Sequence, residues 1–362
     1  MSGSVAIVGC GAIGGLAGFY MAQAGERVVF IDQNADHVQA IRDRGISVNG
    51  VYGPMEIGPQ PAFTPEQVPE SLAGFVFLAC KSQATESAVS GILEYLTPSS
   101  CVVSLQNGMN ESRIAARVGR DRTMGAIPDY GGAYLDPGVL EAVHEGTVYV
   151  GEVQGRITGR AREAGRLLGI GPNHCEVMDD IMGRVWTKQV YNSHVLVDSL
   201  VDASAVDGLS DERVQLLGGA AVREGMKVAD AAGVTIQSDQ WFDPALYRVE
   251  TPADTERLLA MYRRLAEHLG GHQRTPAPGG YQYVKTASGI HWDIVYRRRK
   301  SEATYVSIAA EAKEYGVAVP LNDRILDMIG EIEDGQRQLG WHNIDELTEY
   351  AERLGIALPR DR

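Results

Sequence analysis

Cysteine is scarce in this chain. There are four in 362 residues, Cys10, Cys80, Cys101 and Cys175, with no C-x-x-C pair and no zinc-ligand spacing. No metal site is therefore expected. Three of the four lie in or beside apolar runs, which predicts buried free thiols and a reducing compartment. Long hydrophobic runs are also missing. No stretch approaches the roughly 18–20 apolar residues of a membrane-spanning helix, so no membrane partner is expected. The first residues enter a strand pattern without a basic segment or a long apolar segment of the secretory kind, and the expectation is a cytoplasmic protein. Positive charge is in deficit: 33 Lys and Arg stand against 47 Asp and Glu, a net charge of −14. Such a surface repels nucleic acid and anionic lipid, which excludes both as expected partners. The one basic run, Arg297-Arg298-Arg299-Lys300, reads as a solvated helix face.

What is present is ordinary for a globular protein, 44% hydrophobic and 22% charged. The length accommodates two domains of roughly 150 residues, each with its own core. SVAIVG (4–9) and RVVFID (27–32) are short apolar runs, each followed by a helical pattern. FVFLAC (75–80), CVVSLQ (101–106) and TMGAIP (123–128) continue the series, with a helix predicted near 83–95. Continuous apolar strands alternating with helices predict a parallel sheet covered on both faces. GVLEAVHEGTVYVGEV (138–153) reads as a hairpin closing the sheet edge. Beyond about residue 180 helical periodicity takes over, at 181–203, 210–233, 253–268, 284–315 and 320–338. The Gly/Pro-rich segment 268–283 reads as a long surface loop or lid. The fold class predicted is therefore α/β: a Rossmann-type doubly wound parallel sheet over 1–178, then an all-helical substrate and dimerisation domain over 179–362.

The first strand runs into Gly9-Cys10-Gly11-Ala12-Ile13-Gly14, which opens a helix. In that context a G-x-G-x-x-G run binds a dinucleotide. The first glycine makes the tight turn, the second admits the pyrophosphate, and the third lets helix and strand pack closely. The anion then meets the free N–H groups of a helix N-terminus. Asp32 closes the second strand, where a carboxylate accepts from both ribose hydroxyls and repels a 2′-phosphate. Gln33, Asn34 and Ala35 follow, with no arginine among them. This favours NAD over NADP. The alternative role for Asp32 is to cap the next helix.

Lys81 and Gln83 follow the third strand and Asn107 follows the fourth, at the strand ends that border a dinucleotide crevice. A solvent-exposed strand end and a plain Asn-Gly turn are the alternatives. In VWTKQVYN (185–192), Lys188 and Asn192 fall four residues apart on one helix face within an apolar neighbourhood. Interconverting a carbinol and a carbonyl by hydride transfer needs a group that moves the proton on oxygen. A lysine can do that, and an asparagine can hold the oxygen or a carboxylate without adding charge.

Taken in order, GCGAIGG, ACKSQ, LQNG, PGVLEAVHEGTVYVGE, VWTKQVYN and GVAVPLN (316–322) resemble the ketopantoate reductase family over nearly the whole chain. The resemblance implies that Lys188 is the general acid/base, that Lys81 and Asn107 contact the cofactor and orient the substrate, and that Asn192 binds the substrate. It further implies that Ser288 binds the substrate and that Glu302 holds its hydroxyl. An ungapped count from GVAVP sets Lys300 at the family's glutamate position instead. His291 and Trp292, nearby, read as structural. The sequence departs from the family at Leu196-Val197, where a second asparagine and a proline are common, and at Asp32, since ketopantoate reductases proper mostly use NADP. The implied function is an NAD-linked oxidoreductase interconverting a small hydroxy acid and its oxo acid at a site between the two domains. The amphipathic helices suggest a homodimer. The rivals are NADP-dependent 2-dehydropantoate reduction in pantothenate synthesis, a β-hydroxy acid dehydrogenase, and a non-catalytic dinucleotide-sensing regulator.

Overall fold

The computed structural model describes residues 5–239, 242–274 and 285–359. Its contacts divide the chain into two units. The first runs to Val185 and includes Lys285; the second comprises the rest from Trp186. The boundary expected at 178/179 compares with this parting after Val185.

In the first unit, buried apolar quartets make the central strands. β1 (Val5–Val8) leads to α1 (Ala12–Gln23), β2 (Val28–Ile31) and α2 (Ala35–Arg44). β3 (Ile46–Gly50), β4 (Met55–Ile57) and β5 (Ala62–Phe63) follow, then β6 (Phe75–Leu78), α3 (Thr85–Ile92), β7 (Cys101–Ser104), α4 (Glu111–Val118) and β8 (Thr123–Pro128). The unit continues with β9 (Gly131–Asp136), β10 (Val139–His144), β11 (Thr147–Glu152), α5 (Gly159–Leu168) and β12 (His174–Met178). Eight strands form the main sheet in the order β12-β11-β8-β7-β6-β1-β2-β5. All neighbours pair in parallel except β8 and β11. Alternation along β1 sends Val5 and Ile7 into one apolar cluster with Phe19, Phe30 and Phe77. Ala6 and Val8 enter another with Val29, Ile31 and Ile114. Both faces are covered, as a parallel sheet requires. The sheet is the doubly wound one the sequence predicts.

The expected hairpin over 138–153 does not form. β10 and β11 both exist, but they belong to different sheets. β10 pairs antiparallel with β9 and parallel with β3, in a four-stranded sheet ordered β4-β3-β10-β9. β11 pairs with β8 and β12 in the main sheet. The true hairpin is one step earlier, at Asp136-Pro137-Gly138, where Gly138 takes φ +78.

α6 (Ile181–Asp198) spans the parting of the units. In its first turns Arg184 bonds Asp129 at 3.1 Å and lies over the Tyr149 ring, which holds that end to the first unit. The second unit continues with α7 (Ala205–Ser210), α8 (Glu212–Ala232) and α9 (Pro252–Arg274). After these come α10 (Gly289–Val295), α11 (Ala303–Val306), α12 (Ala309–Glu314), α13 (Pro320–Glu333) and α14 (His342–Arg353). No strand occurs here among the described residues. The buried Glu224 of α8 accepts from the backbone N–H groups of Leu321 and Asn322, capping α13 from another helix. In the core, the His194 ring stacks on Tyr262 at 4.6 Å, and Nε2 lies 3.7 Å from Asp198.

Three expectations fail in this unit. The long helix over 284–315 is broken into α10, α11 and α12. The first break falls at the basic run, which is not a solvated helix face: buried Asp293 draws Arg297 and Arg299 back at 3.2 and 2.9 Å, and Arg298 turns the chain at φ +47. The loop predicted over 268–283 is helix as far as Arg274. Its remainder, 275–283, lies outside the described residues.

Candidate functional site

The glycine loop is shaped by the end of β6. Gly9 sits at φ +90, and a Cβ there would approach Cys80 N to 2.5 Å. Both facts demand glycine. At Gly14 a Cβ would overlap Gly9 O and come within 2.7 Å of Ala79 Cβ, so this glycine is needed for packing. Gly11 is different. It is the N-cap of α1, with φ −71, ψ −151 and no side chain to cap the helix. A Cβ on it would meet nothing within 4 Å. Among the described residues, no packing requires glycine at this position. The open space beside an uncapped helix N-terminus fits an anion held by backbone N–H groups.

Asp32 lies beyond the end of β2 and turns its carboxylate onto the loop. Oδ2 accepts from Cys10 N at 2.7 Å, and Oδ1 accepts from Asn34 N at 2.9 Å. It does not cap α2. Asn34 does, accepting from Asp36 and His37 backbone N–H groups. Cys10 is buried, its Sγ 3.4 Å from Ile31 O, and burial pushes its thiol well above the ordinary range. No disulfide joins any of the four cysteines. Ala12 and Ile13 form the first turn of α1, and Tyr130 OH donates to Ile13 O at 2.9 Å.

Lys81 and Asn107 are both half-buried, at the ends of β6 and β7; Gln83 is exposed. Their loops are stitched together by a polar network that the sequence pattern does not reveal. Ser82 Oγ donates to Asn107 O at 2.5 Å, and Asn110 Nδ2 donates to both Ser82 Oγ and Asn107 O. Gln106 Nε2 donates to Cys80 O at 2.9 Å. Behind this network Glu111 is buried in the first turn of α4, and burial raises its carboxyl to about 7. Lys285 also escaped sequence reasoning: its Nζ donates to Gly132 O and its backbone N–H to the buried Glu141.

In the helical unit, Lys188 is half-buried and Asn192 buried on α6. With Val195 and Ser199 they follow one stripe at i, i+4, i+7 and i+11. Ser288 meets the end of that stripe. Ser199 Oγ donates to Val195 O, so Ser288 Oγ is the donor in the 3.2 Å bond between the two hydroxyls. Ser288 also caps α10, accepting from His291 N at 3.1 Å. Glu302 is 4% exposed at the start of α11. Gln189, next to Lys188, donates to Tyr305 O and Ser307 O, holding α11 against α6. Lys300, the rival for the glutamate position, is at the surface and pairs with Asp334 at 2.5 Å. Leu196 and Val197 are fully buried. His291 is buried, which lowers its pKa. Each unit thus gathers its own candidates: Gly9–Gly14, Asp32, Lys81 and Asn107 in the first, Lys188, Asn192 and Ser288 in the second, with the helix that begins at Glu302 docked beside them.

Residues 5–155 match the family described as "Ketopantoate reductase PanE/ApbA", and residues 180–333 match "Ketopantoate reductase PanE/ApbA C terminal". The 2-dehydropantoate 2-reductase of Archaeoglobus fulgidus is 30% identical over 191 residues, which cover 53% of this chain and 61% of that protein, less than two thirds of its length. Among solved structures, D-mandelate dehydrogenase with NADH and anilino(oxo)acetate has a TM-score of 0.75 at 20% identity, covering 92% of this chain and 99% of that one. A PanE/ApbA family ketopantoate reductase from Ralstonia eutropha JMP134 has a TM-score of 0.73 at 22% identity, covering 92% and 100%. At these identities the likeness to the solved structures is one of fold.

Proposed function

This chain belongs to the ketopantoate reductase family, and from that premise we propose that it is an NAD-linked oxidoreductase interconverting a small hydroxy acid and its oxo acid. The observation that carries the reading is the cradle at the glycine loop: open space at Gly11 beside an uncapped helix start, with the Asp32 carboxylate turned onto the same loop. Gly9, Cys10, Gly11, Ala12, Ile13 and Gly14 hold the pyrophosphate, and Asp32 takes the ribose hydroxyls. When bound, the nicotinamide ring supplies or accepts the hydride. Lys81 and Asn107 border it. Lys188 moves the proton on the substrate oxygen: the ammonium donates in reduction and the amine accepts in oxidation. Asn192 and Ser288 hold the substrate's polar groups, and Glu302 takes its hydroxyl.

The preference for NAD rests on the negative charge of Asp32, which disfavours a 2′-phosphate. The apolar, buried Leu196 and Val197 offer no side-chain hydrogen bond where the family resemblance implies an asparagine, which argues for a substrate other than ketopantoate. A homodimer formed through the helical unit is part of the proposal, and sedimentation velocity tests it. The main experiment is a screen of hydroxy acids with NAD and NADP, following absorbance of the reduced nicotinamide. Turnover with NAD that disappears in Lys188→Ala supports the reading. NADP preference overturns the role of Asp32. Undiminished turnover in Lys188→Ala overturns the mechanism, and a chain that binds dinucleotide but turns over nothing with or without that lysine is a sensor.

A further inference from the structure

Cys10 stands between the turn glycine and the open glycine, and its two flanking peptide groups are held from opposite sides. Its N–H donates to Asp32 Oδ2 at 2.7 Å. Its carbonyl oxygen lies 2.8 Å from His37 Nε2. The other ring nitrogen, Nδ1, is 3.0 Å from Gly138 N at the turn between β9 and β10. A backbone N–H can only donate, so Nδ1 is the acceptor. His37 is therefore the neutral tautomer with its proton on Nε2, and it donates that proton to Cys10 O. The imidazole is 1% exposed, with the Tyr134 ring edge-on at 4.9 Å. Sealed in this way, it touches no ligand and acts only through what it bonds.

The carbonyl of Cys10 and the N–H of Gly11 belong to one peptide unit. That unit is planar and trans, so the two groups point in opposite directions. Fixing the carbonyl on His37 aims the Gly11 N–H away from the imidazole. Gly11 has φ −71 and no side chain, and among the described residues nothing within 4 Å restrains it on the Cβ side. Among the described residues the imidazole is the one hydrogen-bond partner of this peptide's carbonyl.

We propose that His37 is a positioning residue for dinucleotide binding: it locks the Cys10–Gly11 peptide so that the Gly11 N–H is presented to the cofactor's pyrophosphate. The assignment rests on the NAD-linked reading above and deepens it. It also explains why the small sheet matters to the site. Gly138, 101 residues from His37 in sequence, selects the tautomer that lets the ring donate to the loop.

Two substitutions separate this role from simple core packing. Glutamine extends an amide to the position of Nε2, so His37→Gln keeps a donor for Cys10 O and loses the acceptor for Gly138. Asparagine reaches only the position of Nδ1, so His37→Asn keeps the acceptor and loses the donor. NADH affinity of the full chain is read by fluorescence titration, and the unfolding midpoint is read without cofactor. The expected result is about tenfold weaker NADH binding in His37→Asn, with His37→Gln within about twofold of wild type, the loss of one oriented donor being of order 1.4 kcal/mol. Equal affinities in the two variants, or affinities that merely follow the unfolding midpoints, overturn the assignment. Imidazole nitrogen NMR of the wild type needs no variant to fold. It must show a protonated Nε2 and a bare Nδ1, and the opposite tautomer overturns the assignment. If the wild type binds neither NADH nor NADPH, the cradle reading falls and takes this one with it. If it binds NADH and His37→Asn binds as tightly, only the His37 role falls.

Discussion

Gly11→Ala isolates what the glycine loop is for. The backbone at Gly11, φ −71 and ψ −151, is extended, and the added Cβ would meet no atom of the described residues within 4 Å. Two small effects on stability then oppose each other. Alanine restricts the unfolded chain, which stabilises by about 0.4–1 kcal/mol. Alanine is also a poorer N-cap than glycine, by up to about 1 kcal/mol. The net change is expected to stay within about 1 kcal/mol. Gly14→Ala is the contrast. Its Cβ would overlap Gly9 O and press on Ala79 Cβ, an overpacking that costs about 1–3 kcal/mol whether or not cofactor is present.

Cofactor binding should reverse the ranking of Gly11→Ala from neutral to harmful. If a pyrophosphate approaches the loop where the structure leaves space, the new methyl group occupies part of its path and lengthens a charge-assisted N–H bond. Losing one such bond costs about 1.5–3 kcal/mol, or roughly tenfold to hundredfold in Kd. Urea unfolding without ligand gives the first quantity, and calorimetric titration with NADH gives the second. The reasoning is refuted if Gly11→Ala binds NADH as tightly as wild type. It is equally refuted if the variant is destabilised by several kcal/mol in the absence of cofactor, because the loop would then need Gly11 for its own packing.

Lys188→Ala should lower kcat by roughly 10²–10⁴-fold, the usual worth of a positioned proton donor, while NADH affinity stays near wild type; a change confined to KM would remove the proton-transfer role. Asp32→Ser should raise turnover with NADP relative to NAD, measured as the ratio of kcat/KM, and an unchanged ratio would separate Asp32 from the ribose. A third prediction concerns the helical core, where burial lifts Asp198 from an ordinary 3.8 to about 8 and lowers His194 from 6.5 to about 4. The folded chain keeps the Asp198 proton that the unfolded chain releases, so this contribution is full below about pH 4 and lost as pH rises through about 8. His194 acts in the opposite sense, gaining stability from about pH 4 to about 6.5, which leaves Asp198 unopposed by it above that. The Asp198 contribution should fall by about 1.4 kcal/mol per pH unit between pH 6.5 and 8, read as the difference between wild type and Asp198→Asn in urea unfolding; parallel profiles would mean that Asp198 is ionised in the fold.

The parts of this molecule that were legible in the sequence are those governed by near neighbours. Strand, glycine turn and helix are contiguous over 5–23, and the loop follows from them. Lys188 and Asn192 share a helix face because four residues separate them. Errors arose where the deciding partner is far away. Glu145-Gly146 looks like a hairpin turn, yet β10 is claimed by β3 and β9, and β11 by β8. β3, with the sequence ISVNG, carries too few apolar residues to announce itself, and its register depends on that same β10. The basic run looked solvated because the fully buried Asp293 that gathers two of its arginines could not be seen to be buried. Ser199 gave no signal, since its relevance comes from Ser288, 89 residues on.

The same distinction runs through the candidate site itself. The residues a motif would name, Gly9, Gly11, Gly14 and Asp32, form the surface that a dinucleotide would touch. The groups that hold that surface in shape are named by no motif. His37 fixes the Cys10 carbonyl, and Gly138 fixes His37. Asn34 caps α2 and donates to Tyr134, whose ring covers the imidazole. Two of these four groups, Gly138 and Tyr134, come from the β9–β10 hairpin, a part of the small sheet that the sequence reading assigned to the wrong pairing. A glycine loop has little stiffness of its own, because glycine restrains the backbone least. Its geometry must be imposed by neighbours, and here two of the four come from an element that begins more than 100 residues later in the chain.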